Sequence, residues 1–479
     1  MKHDSLPIII QGGMGIAVSG WTLARAVSQA GHLGVVSGTA IDGVMARRLQ
    51  LGDIGGHLRR ALAQLPIPGV AQRVLDRYFI EGGKKPGKPF RPVPVAAQKL
   101  ASSLSELLVA ANFAEVFLAK EGHEGKVGVN FLEKVQLPTL PSLYGVMLAG
   151  VDFVLMGAGI PKAIPGVLDR LAVGDPVELA LDVKGASRGE QFTTEFDPND
   201  LFEGDAPSLK RPQFLAIVSS VTLANMLARK ASGRVDGFIV ENASAGGHNA
   251  PPRGPLKLTA KGEPIYSERD TADLDAMKAL GRPFWLAGQY AKPERVAEAL
   301  QAGATGVQIG TPFAFCEESG LEPKLKQRIL EQSQAGQTDV FTDPVASPTG
   351  FPFKVLQLDD TLSNQAVYED RSRICDLGHL RHAYKKEDGV LGWRCPSEPV
   401  ADYVRKGGDV QDTEGRKCAC NGLFANIDLG QIRRDGEIEK PLVTTGDAVD
   451  TIATFLPSGA KAYTAADVIA VLTQDLPGA

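Results

Sequence analysis

Eight short apolar runs, each ending at a glycine or a polar residue, recur between Leu6 and Thr311 and limit the folds open to this chain. They fall at residues 6–10, 34–38, 127–131, 152–156, 214–218, 236–240, 283–287 and 306–309. Runs this short, rich in β-branched and aromatic residues and bounded by turn residues, read as buried strands. Helical segments separate most of them. The first is expected to start at Ser19 as N-cap and to stop near Ala30 and Gly31. Strand, glycine-rich loop, helix and strand make a parallel βαβ unit. Eight parallel strands alternating with helices make a (β/α)8 TIM barrel. A doubly wound open sheet is the alternative, but it usually has fewer strands. In a barrel the loops after the strands share one face. Gln11, Asn130, Gly157, His248, Gly288 and Gly310 all fall on it.

Two insertions interrupt the alternation. Residues of about 51–107 include the loop-forming stretch 82–94, rich in Gly, Lys and Pro. Residues of about 174–211 hold two alternating runs, 177–183 and 191–196, which read as an added hairpin. The barrel is therefore expected over 1–320. Residues 321–479 form a cysteine-containing extension that closes the fold or caps the substrate site. Pro344, Pro348 and Pro352 break its start. Near its end Thr464 is placed as an N-cap, with Asp467 at the capping-box position.

The composition excludes several partners. Of 479 residues, 43% are hydrophobic and 22% charged, with a net charge of -5 and no basic block, so nucleic acid is not expected. No uncharged apolar run approaches the roughly 20 residues of a membrane span. The start of the chain does not read as a signal peptide. Five cysteines, an odd number, fit a reducing compartment, and a cytoplasmic location is expected. A homo-oligomer is compatible with the sequence.

The chemistry concentrates in residues 236–254. An apolar strand ends there in Glu241 and Asn242, and Gly246, Gly247 and His248 follow. Two glycines let the backbone approach a flat ligand and present the imidazole. A lone histidine after such a turn is as often a surface loop residue. Gly288, Gly310 and Thr311 follow the last two strands, where barrels commonly bind phosphate. Tight βα turns alone would also account for the glycines.

Residues 7–15 (PIIIQGGMG), Gly128, Val129 and Asn130, the run 245–248 (AGGH) and the run 307–311 (VQIGT) resemble the nitronate monooxygenase family, formerly called 2-nitropropane dioxygenases. Flavin-dependent enoyl-acyl carrier protein reductases share this motif set. The resemblance covers about residues 5–320. It implies a barrel holding FMN, with Gln11, Gly12, Gly13 and Met14 along the flavin. It implies that Asn130, Gly246 and Gly247 touch the flavin, and that Gly288, Gly310 and Thr311 hold its phosphate. His248 matches the family's catalytic base. The loop 249–254 is longer and richer in proline than the family pattern, and the insertions and tail exceed a minimal member.

A neutral imidazole, at a pKa of about 6.5, can remove an acidic carbon-bound proton, and its cation then stabilises a nitronate. Glu241 is expected to pair with a nearby cation rather than to act directly in catalysis, and Arg253 to meet either an anionic substrate group or solvent. Of Cys375, Cys395, Cys418 and Cys420 only the last two are close, at a spacing unusual for metal sites, so thiols rather than a metal are expected. Two functions remain. One is an FMN oxidase-type enzyme using dioxygen on alkyl nitronates and nitroalkanes. The other is an NAD(P)H-dependent enoyl-thioester reductase.

Overall fold

The computed structural model describes residues 6–433 and 436–476. The eight expected strands are present: β1 (Ile9–Gln11), β2 (Gly34–Ser37), β3 (Val127–Leu132), β4 (Phe153–Gly157), β5 (Gln213–Val218), β6 (Gly237–Glu241), β7 (Phe284–Ala287) and β8 (Gly306–Ile309). They form one sheet whose neighbours run in chain order and pair in parallel, with β1 beside β8. The seam between β1 and β2 closes through the bridge Ile10–Leu33. There Leu33 N donates to Ile9 O at 3.1 Å, and Gln11 N to Leu33 O at 2.9 Å. The architecture is a (β/α)8 barrel.

Alternation along the strands builds two cores. Ile10, Val35, Leu155, Leu215, Ile239 and Trp285 point inward and fill the barrel. Their neighbours Ile9, Val36, Val154, Ala216 and Phe238 point outward and meet the helices. Each buried branched or aromatic side chain stabilises by roughly 1.5–3 kcal/mol. Trp285 satisfies its indole N–H on Pro7 O at 2.7 Å, so its ring fills the interior without a stranded donor. The apolar helix Ser102–Lys120 is long enough to cross a membrane by length and composition, but most of it is buried against neighbouring helices.

Ser19 does not cap the first helix. Helix Trp21–Gln29 begins after Gly20, and Glu115 Oε2 accepts from Trp21 N at 2.9 Å. Ser19 is buried instead within the loop after β1, where it receives Met14 N at 2.9 Å. Tertiary contacts have displaced the local cap.

The second insertion contains the expected hairpin, Val177–Ala180 against Thr193–Phe196. The far end of the chain packs on the barrel. Helix Ala465–Thr473 packs against Trp21–Gln29 and Pro293–Gln301, the helices after β1 and β7. It thus fills the place of the barrel's last outer helix. Thr464 and Asp467 form its capping box, with Thr464 Oγ1 receiving Asp467 N at 3.2 Å. The residues between Ala314 and Thr464 lie along the chain between β8 and this helix.

Candidate active site

The strands deliver their C-terminal ends to one cavity of about 230 Å³. Gly12, Gly13, Met14, Asn130, Gly246, Gly247, His248, Gly288, Gly310 and Thr311 line it. Loops from β1, β3, β6, β7 and β8 therefore meet at one place, as the sequence spacing required.

The expected placement of Gln11 along the ligand is corrected. Its side chain is fully buried behind the loop. The carboxamide donates to Gly12 O and to Ser19 Oγ (2.8 Å), and accepts from Val35 N at 3.0 Å. Gln11 holds the glycine loop from below. Gly13 then lies so close to Asn130 that a Cβ would fall 2.3 Å from the Asn130 Cβ. Asn130 donates to Phe131 O at 3.1 Å and Leu155 O at 3.3 Å, which fixes its amide at the cavity wall.

The loops after β7 and β8 suit an anion. Gly288 has φ +87° and Gln289 φ +53°, so the chain turns sharply at the strand end. Among the described residues, the backbone N–H groups of Gly288, Gln289, Gly310 and Thr311 meet no protein acceptor. Unpaired amides at a cavity wall favour negative charge. The Thr311 hydroxyl accepts from Gly446 N at 3.0 Å, leaving its own proton to donate.

His248 is half-buried, and its Nε2 lies 2.7 Å from Ser347 Oγ. Its ring meets Phe353 at 4.6 Å between centroids. The histidine loop is tied to the tail by two backbone bonds: Lys354 N to Gly247 O (3.0 Å) and Asn249 N to Pro352 O (2.9 Å). Burial lowers the imidazole to about 4, below the value expected from sequence. The ring is therefore neutral at pH 7 but a weaker base. Glu241, also on the cavity wall, is raised by burial to about 8 and is a neutral carboxyl at pH 7. It forms no ion pair among the described residues, so the expected cation partner is absent. Arg253 does not line the cavity; its N–H donates to Asp270 Oδ1 at 2.8 Å.

The tail completes the site. Phe353, Asn426, Thr445 and Gly446 line the same cavity. Two buried carbonyl oxygens there, Gln308 Oε1 and Asn426 Oδ1, have no partner among the described residues. A polar residue inside the apolar run of β8 was a signal for Gln308. Nothing local marked Ser347 or Asn426.

Cys375, Cys395, Cys418 and Cys420 converge on a void of about 10 Å³ within the tail, and none is disulfide-bonded. Among the described residues no three His, Cys, Asp or Glu side chains form a metal-holding group.

Residues 181–349 match the family described as nitronate monooxygenase. A probable nitronate monooxygenase of Bacillus subtilis (strain 168) is 33% identical over 144 residues, 30% of this chain and 38% of that protein. A Mycobacterium tuberculosis protein is 29% identical over 141 residues, 29% of this chain and 35% of that one. It is named (3aS,4S,5R,7aS)-5-hydroxy-7a-methyl-1-oxo-octahydro-1H-indene-4-carboxyl-CoA dehydrogenase. The aligned region spans little more than a third of these curated relatives. Among solved structures, FabK of Thermotoga maritima aligns over 98% of this chain and 93% of its own, at 16% identity and TM-score 0.48. Nitroalkane oxidase of Streptomyces ansochromogenes aligns over 98% and 95%, at 16% identity and TM-score 0.46.

Proposed function

We propose, from the similarity of residues 181–349 to the nitronate monooxygenase family, that this chain is an FMN-dependent oxidoreductase that oxidises alkyl nitronates and nitroalkanes with dioxygen. One observation carries the reading: a glycine cradle, four unpartnered backbone amides and one imidazole converge on a single cavity. FMN, when bound, supplies the electron chemistry and passes electrons to dioxygen. The residues present fit it. Gly12, Gly13 and Met14 form one wall for a flat ring, with Asn130 beside them. Gly246 and Gly247 allow close approach from the other side. The amides of Gly288, Gln289, Gly310 and Thr311 receive the phosphate, and the orphaned Gln308 Oε1 awaits a donor.

His248 is the base. With Nε2–H donating to Ser347 Oγ, the lone pair of Nδ1 is free to take the proton from the carbon beside the nitro group. The resulting imidazolium lies against the anion it has created. A base held near 4 makes that transfer uphill from a neutral nitroalkane. A pre-formed nitronate needs no such step and is the better substrate. The reading carries with it small-molecule partners, no nucleic acid or membrane, and a reducing cytoplasmic location, in keeping with five unpaired cysteines.

The enoyl-thioester reductase reading draws on a different observation. A neutral His248 and a neutral Glu241 can both donate hydrogen bonds, which suits polarising a thioester carbonyl and supplying a proton. Cofactor identity tests what the two readings share. Heat-denatured protein is expected to release FMN rather than FAD. A colourless protein that cannot be reconstituted with FMN would contradict both.

A further inference from the structure

A second cavity, of about 420 Å³, lies beside the first. Its walls come from the regions that depart from an uninterrupted barrel. The first insertion supplies Val93, Pro94 and Ala96, the second supplies residues 181–184, and the tail supplies residues 377–383 and Trp393. These walls are tied together. Val183–Lys184 pairs in parallel with residues 383–384, joining the second insertion to the tail. The Arg381 guanidinium donates to Gly378 O and to Ala96 O, joining the tail to the first insertion. The cavity is thus a built feature of this chain, within the volume range of small-molecule sites.

Its floor is apolar, formed by Leu104, Leu108, Leu137, Leu377 and Leu380. Two residues of its wall each carry a buried polar atom with no partner among the described residues: Asp42 Oδ1 and His379 Nε2. Asp42 is only 4% exposed. A buried polar atom left unpaired is unfavourable. Two such atoms at one cavity point to a ligand hydroxyl, which can donate to Asp42 and accept from His379. At the mouth, Asp182 is taken by Lys134 at 2.6 Å. Lys184, exposed on the same wall, has no carboxylate partner among the described residues, and Arg381 adds a second positive charge. The wall towards the first cavity is thin: Thr349 lines the second, and its hydroxyl lies 2.9 Å from Ser347 Oγ, which contacts His248.

We propose that this cavity is a second ligand site for a hydroxylated aliphatic anion, a hydroxyacyl chain with a carboxylate or phosphate head. The chain lies on the leucine floor, its hydroxyl meets Asp42 and His379, and its head meets Lys184. The inference does not depend on the flavin reading.

Trp393 lines the cavity, so its fluorescence reports occupancy in the full-length protein. Titration with a hydroxydecanoate is expected to give a saturable change, with decanoate and decanol each binding roughly tenfold more weakly, the scale of one lost hydrogen bond or ion contact. Trp393→Phe should remove the signal. Lys184→Glu, at an exposed position, should weaken the hydroxydecanoate about tenfold or more. His379→Leu should bring it to parity with decanoate. An alkyl phosphate bearing the same hydroxyl distinguishes a phosphate head from a carboxylate head. No saturable change in the wild type, or equal binding of all three chains, would overturn the proposal. So would Lys184→Glu and His379→Leu proteins that both bind as the wild type does.

Discussion

Gly13→Ala tests the cradle at its tightest point. The added Cβ would fall 2.3 Å from the Asn130 Cβ and 3.1 Å from Val35 Cγ1. Carbon atoms in contact sit roughly 3.5–4.0 Å apart, so one wall must retreat by more than 1 Å. Asn130 cannot retreat freely, because its amide is bonded to Phe131 O and Leu155 O. The loop cannot either, because Gln11 and Ser19 hold it from behind. Overpacking of this kind costs about 1–3 kcal/mol. If the strain falls on the binding-competent loop, FMN affinity should drop by roughly 10- to 100-fold. Flavin titration by fluorescence quenching and a thermal melt measure the two effects. The variant is expected to lose affinity and to melt a few degrees lower. Wild-type affinity together with an unchanged melt would refute the argument that these two loops form a rigid cradle.

His248→Asn should retain FMN and lose turnover of neutral nitroalkanes by roughly 100-fold, with a smaller loss on pre-formed nitronates; steady-state kinetics on both substrates checks this. Because burial lowers His248 to about 4, the imidazole stays neutral from pH 5 upward, so the wild-type acid limb should appear near 4 rather than near 6.5. Glu241 is raised to about 8, so the stability contributed by its neutral form is present at low pH and is lost as pH rises through that value. Glu241→Gln should therefore gain thermal stability relative to wild type as pH rises from 5 to 9, measured by melts across that range; a constant difference would count against the burial of this carboxyl.

The barrel strands were legible because each carries its own signal: a short apolar run, then a glycine or amide. The same regularity placed the glycines and His248 at one end, since strand ends share a face. What the sequence hid depended on contacts distant along the chain. Ser19 looks like a cap, but its hydroxyl serves the loop 12–14. The resemblance places Gln11 along the ligand, yet strand alternation turns its side chain to the same side as Ile9, where it bonds Ser19 Oγ and Val35 N instead. Helix Ala465–Thr473 was visible through Thr464 and Asp467, but its docking against the helices after β1 and β7 depends on packing some 150 residues beyond β8. Ser347 and Phe353 reach His248 across about 100 residues, and no local pattern announces such a partner. The lowered pKa of His248 follows from that enclosure and could not be read from residue type.

Anaerobic stopped-flow mixing of the FMN-loaded protein with an alkyl nitronate tests the central claim most directly. The account expects rapid flavin reduction by the nitronate, slow reduction by NADH and NADPH, and reoxidation by dioxygen. Fast reduction by NADPH, followed by reoxidation with an enoyl thioester and no reaction with the nitronate, would contradict it.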